Sequence, residues 1–185
     1  MGNDGGPDAE RVLHSERVFA GRLLNLRVDR VALPNGRETT REVVEHPGAV
    51  AIVPLHDDGR VVLVRQYRHA VGRSLLEIPA GTLDQGEESA EAAAARELQE
   101  ETGYRAARLT PLATFYPAPG FATERMTVFL ATGLTDGDQG QMEDENITVE
   151  TISLAEVPAL LARGELADAK TLVGLLLARD AAAKR

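Results

Sequence analysis

Residues Gly86 to Tyr104 read GEESAEAAAARELQEETGY, and the rest of the chain is best understood outward from them. Four alanines, 92–95, are strong helix formers, and Gly103 stands where a helix would stop, so the stretch predicts a helix from about Ser89 to Thr102. On that helix Glu97, Glu100 and Glu101 are three and four residues apart and share one face. Their mutual repulsion is compounded in the last turn, where the helix dipole costs each carboxylate about 0.3–1 kcal/mol. Arg96 could pair with Glu100, although Arg before Glu is the poorer order for such a pair. Two readings meet that cost. One is a solvated acidic face, the ordinary state of such a surface; the other is a set of oxygen ligands for a divalent cation.

Before the helix, a strand near Leu75 to Ile78 leads into a turn at Pro79-Ala80-Gly81. Further back, the β-branched runs Ala49 to Leu55 and Val61 to Tyr67 are joined by Asp57-Asp58-Gly59, a hairpin signal. An earlier hairpin, Leu23 to Val44, turns at Pro34-Asn35-Gly36, where Asn-Gly supplies the positive φ values of a tight turn. After the helix come strands at Leu112 to Phe115, Met126 to Ala131 and Ile147 to Ser153. A capping box, Ser153 to Glu156, opens one helix, and another runs from about Lys170 to Ala182. Hairpins mixed with helices predict an α+β domain, a mixed sheet with helices on its faces, rather than a doubly wound parallel sheet. The first hairpin reads as an appendage, which divides the chain into 1–45, tail and hairpin, and 46–185, the main domain.

Composition narrows the function. With 185 residues, 43% of them hydrophobic, the chain has material for one core, which excludes disordered and fibrous classes. A net charge of −9 argues against nucleic acid as a partner. Zero Cys removes disulfides, thiolate metal sites and a Cys nucleophile together. The polar, Gly-rich start shows no signal peptide and no apolar run approaches about 18 residues, so the expectation is a cytoplasmic protein without membrane attachment. His14, His46, His56 and His69 have no metal-ligand spacing, and Ser153 is a helix cap rather than a nucleophile.

Gly81 to Tyr104 resembles the signature of the Nudix hydrolases: Gly, five residues, Glu, seven residues, then Arg-Glu-apolar-x-Glu-Glu-x-Gly-apolar. Arg96-Glu97-Leu98-Gln99-Glu100-Glu101-Thr102-Gly103-Tyr104 supplies its second half in full. The first half is one residue longer than the pattern, so either Glu87 keeps the spacing from Gly81 or Glu88 keeps the spacing to Arg96; helix register favours Glu88. Within the family the chain is similar to bacterial ADP-ribose pyrophosphatases from about Val18 to Leu177. The similarity is carried by Gly48-Ala49-Val50-Ala51, Val64-Arg65-Gln66-Tyr67-Arg68, Glu77-Ile78-Pro79-Ala80-Gly81, Pro119-Gly120-Phe121 and Asp168-Ala169-Lys170-Thr171. Pro119, some fifteen residues past the signature, is a further feature of that subgroup.

The resemblance implies a Nudix-type α/β/α sandwich with an N-terminal hairpin exchanged across a homodimer, and hydrolysis of ADP-ribose or a related nucleoside diphosphate derivative. A non-catalytic ADP-ribose sensor is a rival from another class. It implies Mg²⁺, with Mn²⁺ as the alternative, on Glu97, Glu101, the carbonyl of Ala80 and Glu145. Arg96 would orient the preceding loop, and Glu100 would support a ligand or meet a second ion. Glu143 would be the general base, in a cluster Glu143-Asp144-Glu145 that by itself reads as a solvated loop. Substrate contacts implied are Arg41 and Glu42, with Arg22, Arg68, Gly120 and Glu124 as further candidates and Leu23 as an aliphatic wall.

Overall fold

A computed structural model of the protein describes residues 6, 9–83, 88–137 and 147–182. The chain divides into two compact units: Met1–Gly48 with Ala118–Arg125, and Ala49–Pro117 with Met126–Arg185.

The first unit is an antiparallel sheet of β1 (Arg11–Ala20), β2 (Asn25–Ala32) and β3 (Glu38–Glu45), in that order. The expected hairpin is β2–β3, but its turn differs from the two-residue form. Leu33 N–H donates to Arg37 O at 2.8 Å and Gly36 N–H to Leu33 O at 2.9 Å, and Gly36 alone has positive φ, 80°. Pro34 explains the difference. Its ring holds φ near −65°, so Pro34 and Asn35 form the turn and Gly36 takes the left-handed position after it. Strand β1 escaped sequence reading because nine of its ten residues are exposed, which leaves little apolar alternation to read. The segment 118–125, placed by sequence reading in the main domain, lies along β3: Val44 N–H donates to Phe121 O at 2.8 Å and Thr123 N–H to Val44 O at 2.9 Å.

The second unit holds two sheets. One has the order β7 (Ala80–Thr82), β4 (Ala49–Pro54), β9 (Met126–Asp136), β8 (Tyr104–Phe115), with β4 and β9 parallel. The other is β10 (Ile147–Ser153), β5 (Arg60–Arg68), β6 (Arg73–Glu77). The helices are α1 (Ala90–Thr102), α2 (Val157–Ala162) and α3 (Ala169–Ala182). Asp57-Asp58-Gly59 does turn the chain, yet β4 and β5 share an isolated bridge, Leu55 to Val61, and go on into different sheets. Both edges of β4 are already taken, by β7 and β9, so no ladder to β5 can form. The hairpin partner of β5 is β6, reached through a 3-10 turn at His69–Val71.

Every residue of β4 is buried. Ala49, Ala51 and Val53 join the core that contains Ile78, Val128, Leu175 and Ala178, on the α3 side. Val50 and Ile52 join Ala93, Ala94 and Leu98 of α1. A strand feeding alternate residues to helices on opposite faces is the expected α/β/α layering. Ser153 and Glu156 form the expected capping box, though around a 3-10 turn, Leu154–Glu156, that precedes α2. Among the described residues no helix is long and apolar enough to cross a membrane.

Candidate active site

The site grows from the meeting of α1 with β7. Ser89 caps α1 by accepting the N–H of Ala92 at 3.1 Å, and Gly103, at φ 75°, ends it. This fixes the register, and Leu98 with Ala94 on the buried face leaves Glu97 and Glu101 facing β7. Ala80 N–H donates to Glu101 Oε2 at 3.1 Å, and the Glu101 residue is 3% exposed. Glu97 lies against the α-carbon of Gly81 so closely that a Cβ there would sit 1.9 Å from its Cδ.

Arg96 meets the like-charge cost in a way the sequence order made unpromising. Its Nη1 donates to Glu97 Oε1 at 2.7 Å and to Glu100 Oε2 at 2.8 Å, while Nε and Nη2 approach Glu88 at 3.4 and 3.3 Å. Burial works against the charge of Arg96, but Glu88 and Glu97 outweigh it and hold the guanidinium more basic than usual. The contact to Glu88 agrees with the register that keeps seven residues between that Glu and Arg96. Glu87, Glu143 and Glu145 lie outside the described residues.

Among the described residues no three His, Asp or Glu side chains form a ready cation site. What the fold does assemble is two carboxylates, both hard oxygen donors, against the Ala80–Gly81 backbone, in a cradle that the missing Cβ of Gly81 leaves open. That donor chemistry fits a hard divalent cation. Gly81→Ala is therefore expected to displace Glu97 by an ångström or more, and a misplacement of that size costs about 10²-fold in turnover. Steady-state rates with a thermal melt check it: wild-type rates in a folded Ala variant would remove Glu97 from the site.

Arg68, expected at the substrate, is paired with Glu77: Nε donates to Oε1 at 2.9 Å and Nη2 to Oε2 at 2.7 Å. The Glu77 side chain is 1% exposed and also accepts from Lys170. Burial pushes the Glu77 carboxyl up, but Arg68 and Lys170 outweigh it and hold it below the ordinary Glu value. Glu77 and Lys170 had no assigned role in the sequence. The available signal was a Glu inside the apolar run Leu75-Leu76-Glu77-Ile78, which is costly to bury in ionised form without a cation partner.

The other proposed substrate residues belong to the first unit. Arg22 and Leu23 are exposed in the β1–β2 turn, closed by Gly21 N–H to Leu24 O at 2.9 Å. Arg41 is held by Glu10, Nε to Oε2 at 3.0 Å and Nη2 to Oε1 at 2.5 Å, beside an exposed Glu42. Gly120 is exposed and Glu124 half-buried, both in the segment that runs beside Val44.

The chain belongs to the Nudix family: the NUDIX domain model matches residues 45–173. Residues 10–44 match the nucleoside diphosphate sugar hydrolase N-terminal domain. Among relatives, an ADP-ribose pyrophosphatase of Bacillus subtilis is 43% identical over 88% of both chains. A methanol dehydrogenase activator of Bacillus methanolicus is 38% identical over 90% of both. A crystal structure of an ADP compounds hydrolase superposes with a TM-score of 0.84 at 28% identity, covering 95% of each chain.

Proposed function

We propose that the protein hydrolyses the diphosphate of ADP-ribose with water, giving AMP and ribose 5-phosphate. The observation that carries this is the packing of Glu97 and Glu101 against the Ala80–Gly81 backbone, in a chain similar over most of its length to an ADP-ribose pyrophosphatase. Glu97, Glu101, the carbonyl of Ala80 and Glu145 are the proposed ligands of Mg²⁺, or of Mn²⁺ in its place. When bound, the cation supplies positive charge to a dianionic diphosphate and lowers the pKa of a water. Arg96 holds Glu97 and Glu100 in place through its Nη1, and Glu143 is the base that takes the proton of the attacking water. Arg22, Leu23, Arg41, Glu42, Arg68, Gly120 and Glu124 are the proposed substrate contacts. For Arg68 that requires a share in its pair with Glu77, and for Arg41 release from Glu10. A cytoplasmic homodimer, with 1–45 serving dimerisation and substrate binding, completes the proposal.

Incubation with ADP-ribose, with and without Mg²⁺, tests it. AMP is expected only with the cation, and Glu143→Gln is expected to lower its rate by about 10²-fold or more without unfolding the chain. Near-normal turnover in that variant would move the base elsewhere. A second reading has support in the similarity to a dehydrogenase activator: ADP-ribose bound without AMP would favour a regulatory protein over an enzyme. The match to a nucleoside diphosphate sugar hydrolase domain makes nucleotide sugars the first alternatives in a substrate panel.

A further inference from the structure

The backbone from Glu77 to Gly81 is held at every residue. The Glu77 carboxylate takes Arg68 and Lys170; Ile78 N–H donates to Thr171 Oγ1 at 2.9 Å; Pro79 O accepts from Ile52 N–H at 2.9 Å; Ala80 N–H donates to Glu101; and Gly81 abuts Glu97. Two of these holds come from the first turn of α3, 93 residues further along the chain.

That turn is itself tightly ordered. Asp168 caps α3, its Oδ2 accepting Thr171 N–H at 3.0 Å, Thr171 Oγ1 at 2.6 Å and Lys170 Nζ at 3.0 Å. Thr171 is fully buried, so its hydroxyl gives its proton to Asp168 and presents a lone pair to Ile78. Docking α3 does not require this chemistry. Leu175 and Ala178 already lie in the core, and Gly174 brings the helix so close that a Cβ would sit 2.8 Å from Ile78 Cδ1. Burying Glu77, Lys170 and Asp168 together carries a desolvation cost that apolar contacts would avoid. The polar groups are placed on the strand connection whose Ala80 N–H meets Glu101 and whose Gly81 abuts Glu97.

We propose that the first turn of α3, through Thr171 and Lys170, positions the Ala80–Gly81 backbone for cation binding. The inference rests on the reading of Ala80, Glu97 and Glu101 as cation ligands. Thr171 and Lys170 are positioning residues: they touch no ligand atom, and they set where the Ala80 carbonyl and the Gly81 cradle stand relative to α1. Outer groups of this kind typically change metal affinity by about 10–100-fold when removed.

The test is Mn²⁺ binding to the full-length protein, followed by the loss of the free-ion EPR signal, for the wild type, Thr171→Val and Thr171→Ser. Thr171→Val keeps the shape and removes the hydroxyl, and is expected to weaken Mn²⁺ by about tenfold. Thr171→Ser is expected to restore wild-type affinity. In turnover the Val variant should need more cation for half-maximal rate but reach a similar kcat at saturation, a split that a generally loosened fold would not give. Mn²⁺ affinity in Thr171→Val equal to the wild type overturns the proposal, as does a Ser variant as weak as the Val one. If the Val variant does not fold, Lys170→Gln is judged by the same affinity criterion. Because binding is read without substrate, the result stands whether or not ADP-ribose is hydrolysed; a wild-type protein that binds no Mn²⁺ overturns the ligand reading and this proposal together.

Discussion

Glu97→Gln is expected to reduce cation-dependent turnover by about 10³-fold while leaving the chain folded. The size follows from what the substitution removes. A cation held by carboxylates contributes several kcal/mol to stabilising charge on a phosphoryl group, and each 1.4 kcal/mol is a factor of ten in rate. Gln has nearly the shape of Glu, so the close fit on Gly81 is kept while the negative charge goes, and with it the ion pair to Arg96. The loss should be specific to position. Glu100 is the more exposed of the two carboxylates that share Arg96 Nη1, with 32% of its side chain accessible against 14% for Glu97, and Glu100→Gln should cost far less. Rates across a Mn²⁺ titration separate the outcomes: a Glu97→Gln protein that regains wild-type rates at high cation only lost affinity, and one with wild-type rates throughout shows that Glu97 is no ligand. Glu101→Gln adds a control. It exchanges the acceptor of the Ala80 N–H for a poorer one and should perturb stability as well as activity, because Glu101 is almost wholly buried.

The acidic helix was legible because its information is local. Helix formers, a stop glycine and three carboxylates at helical spacing occupy fewer than twenty consecutive residues, and their register survives any arrangement of the rest. The layering was legible for a similar reason: β4 announces itself as Ala49-Val50-Ala51-Ile52-Val53, an apolar run that both faces of a sandwich can absorb. What could not be read was pairing. Asp57-Asp58-Gly59 specifies a turn, but whether the flanking strands then pair depends on which edges β7 and β9 occupy, and those strands lie far along the chain. Strand β1 has the opposite difficulty, since it is stabilised by its ladder to β2 and buries almost nothing. At the site, the family resemblance assigned Arg96 to the loop before α1, and its contact is with Glu88. Its simultaneous grip on Glu97 and Glu100 is a matter of side-chain reach that spacing alone does not decide. The Glu77 network was the least visible part, for it joins β5, β6 and α3 through residues 68, 77 and 170.

That network sets the second large effect. Glu77→Leu is expected to destabilise the fold by about 3–5 kcal/mol, the usual cost of stripping one partner from a buried ion pair, against a total of about 5–15 kcal/mol for a domain. The two cations left behind are not equal. Arg68 has 37% of its side chain accessible and can turn toward water, whereas Lys170, at 11%, keeps Asp168 alone for an ion pair among the described residues. Most of the cost should therefore be repaired by Lys170→Met in the same chain, and little of it by Arg68→Met, which chemical denaturation of the two double variants measures. Protonation gives the same interaction a pH signature. Glu77 is held below its ordinary 4.5, so the unfolded chain binds its proton first as the pH falls. Its contribution is complete above about pH 5 and is lost as the pH drops through the lowered folded value. Glu77→Leu should then be destabilised at neutral pH and show a flatter loss of stability than the wild type below pH 4.5. Parallel curves for the two proteins across that range would mean that the carboxylate is not held by Arg68 and Lys170 in the folded chain, and the positioning of the Ala80–Gly81 backbone would then have to rest on Thr171 alone.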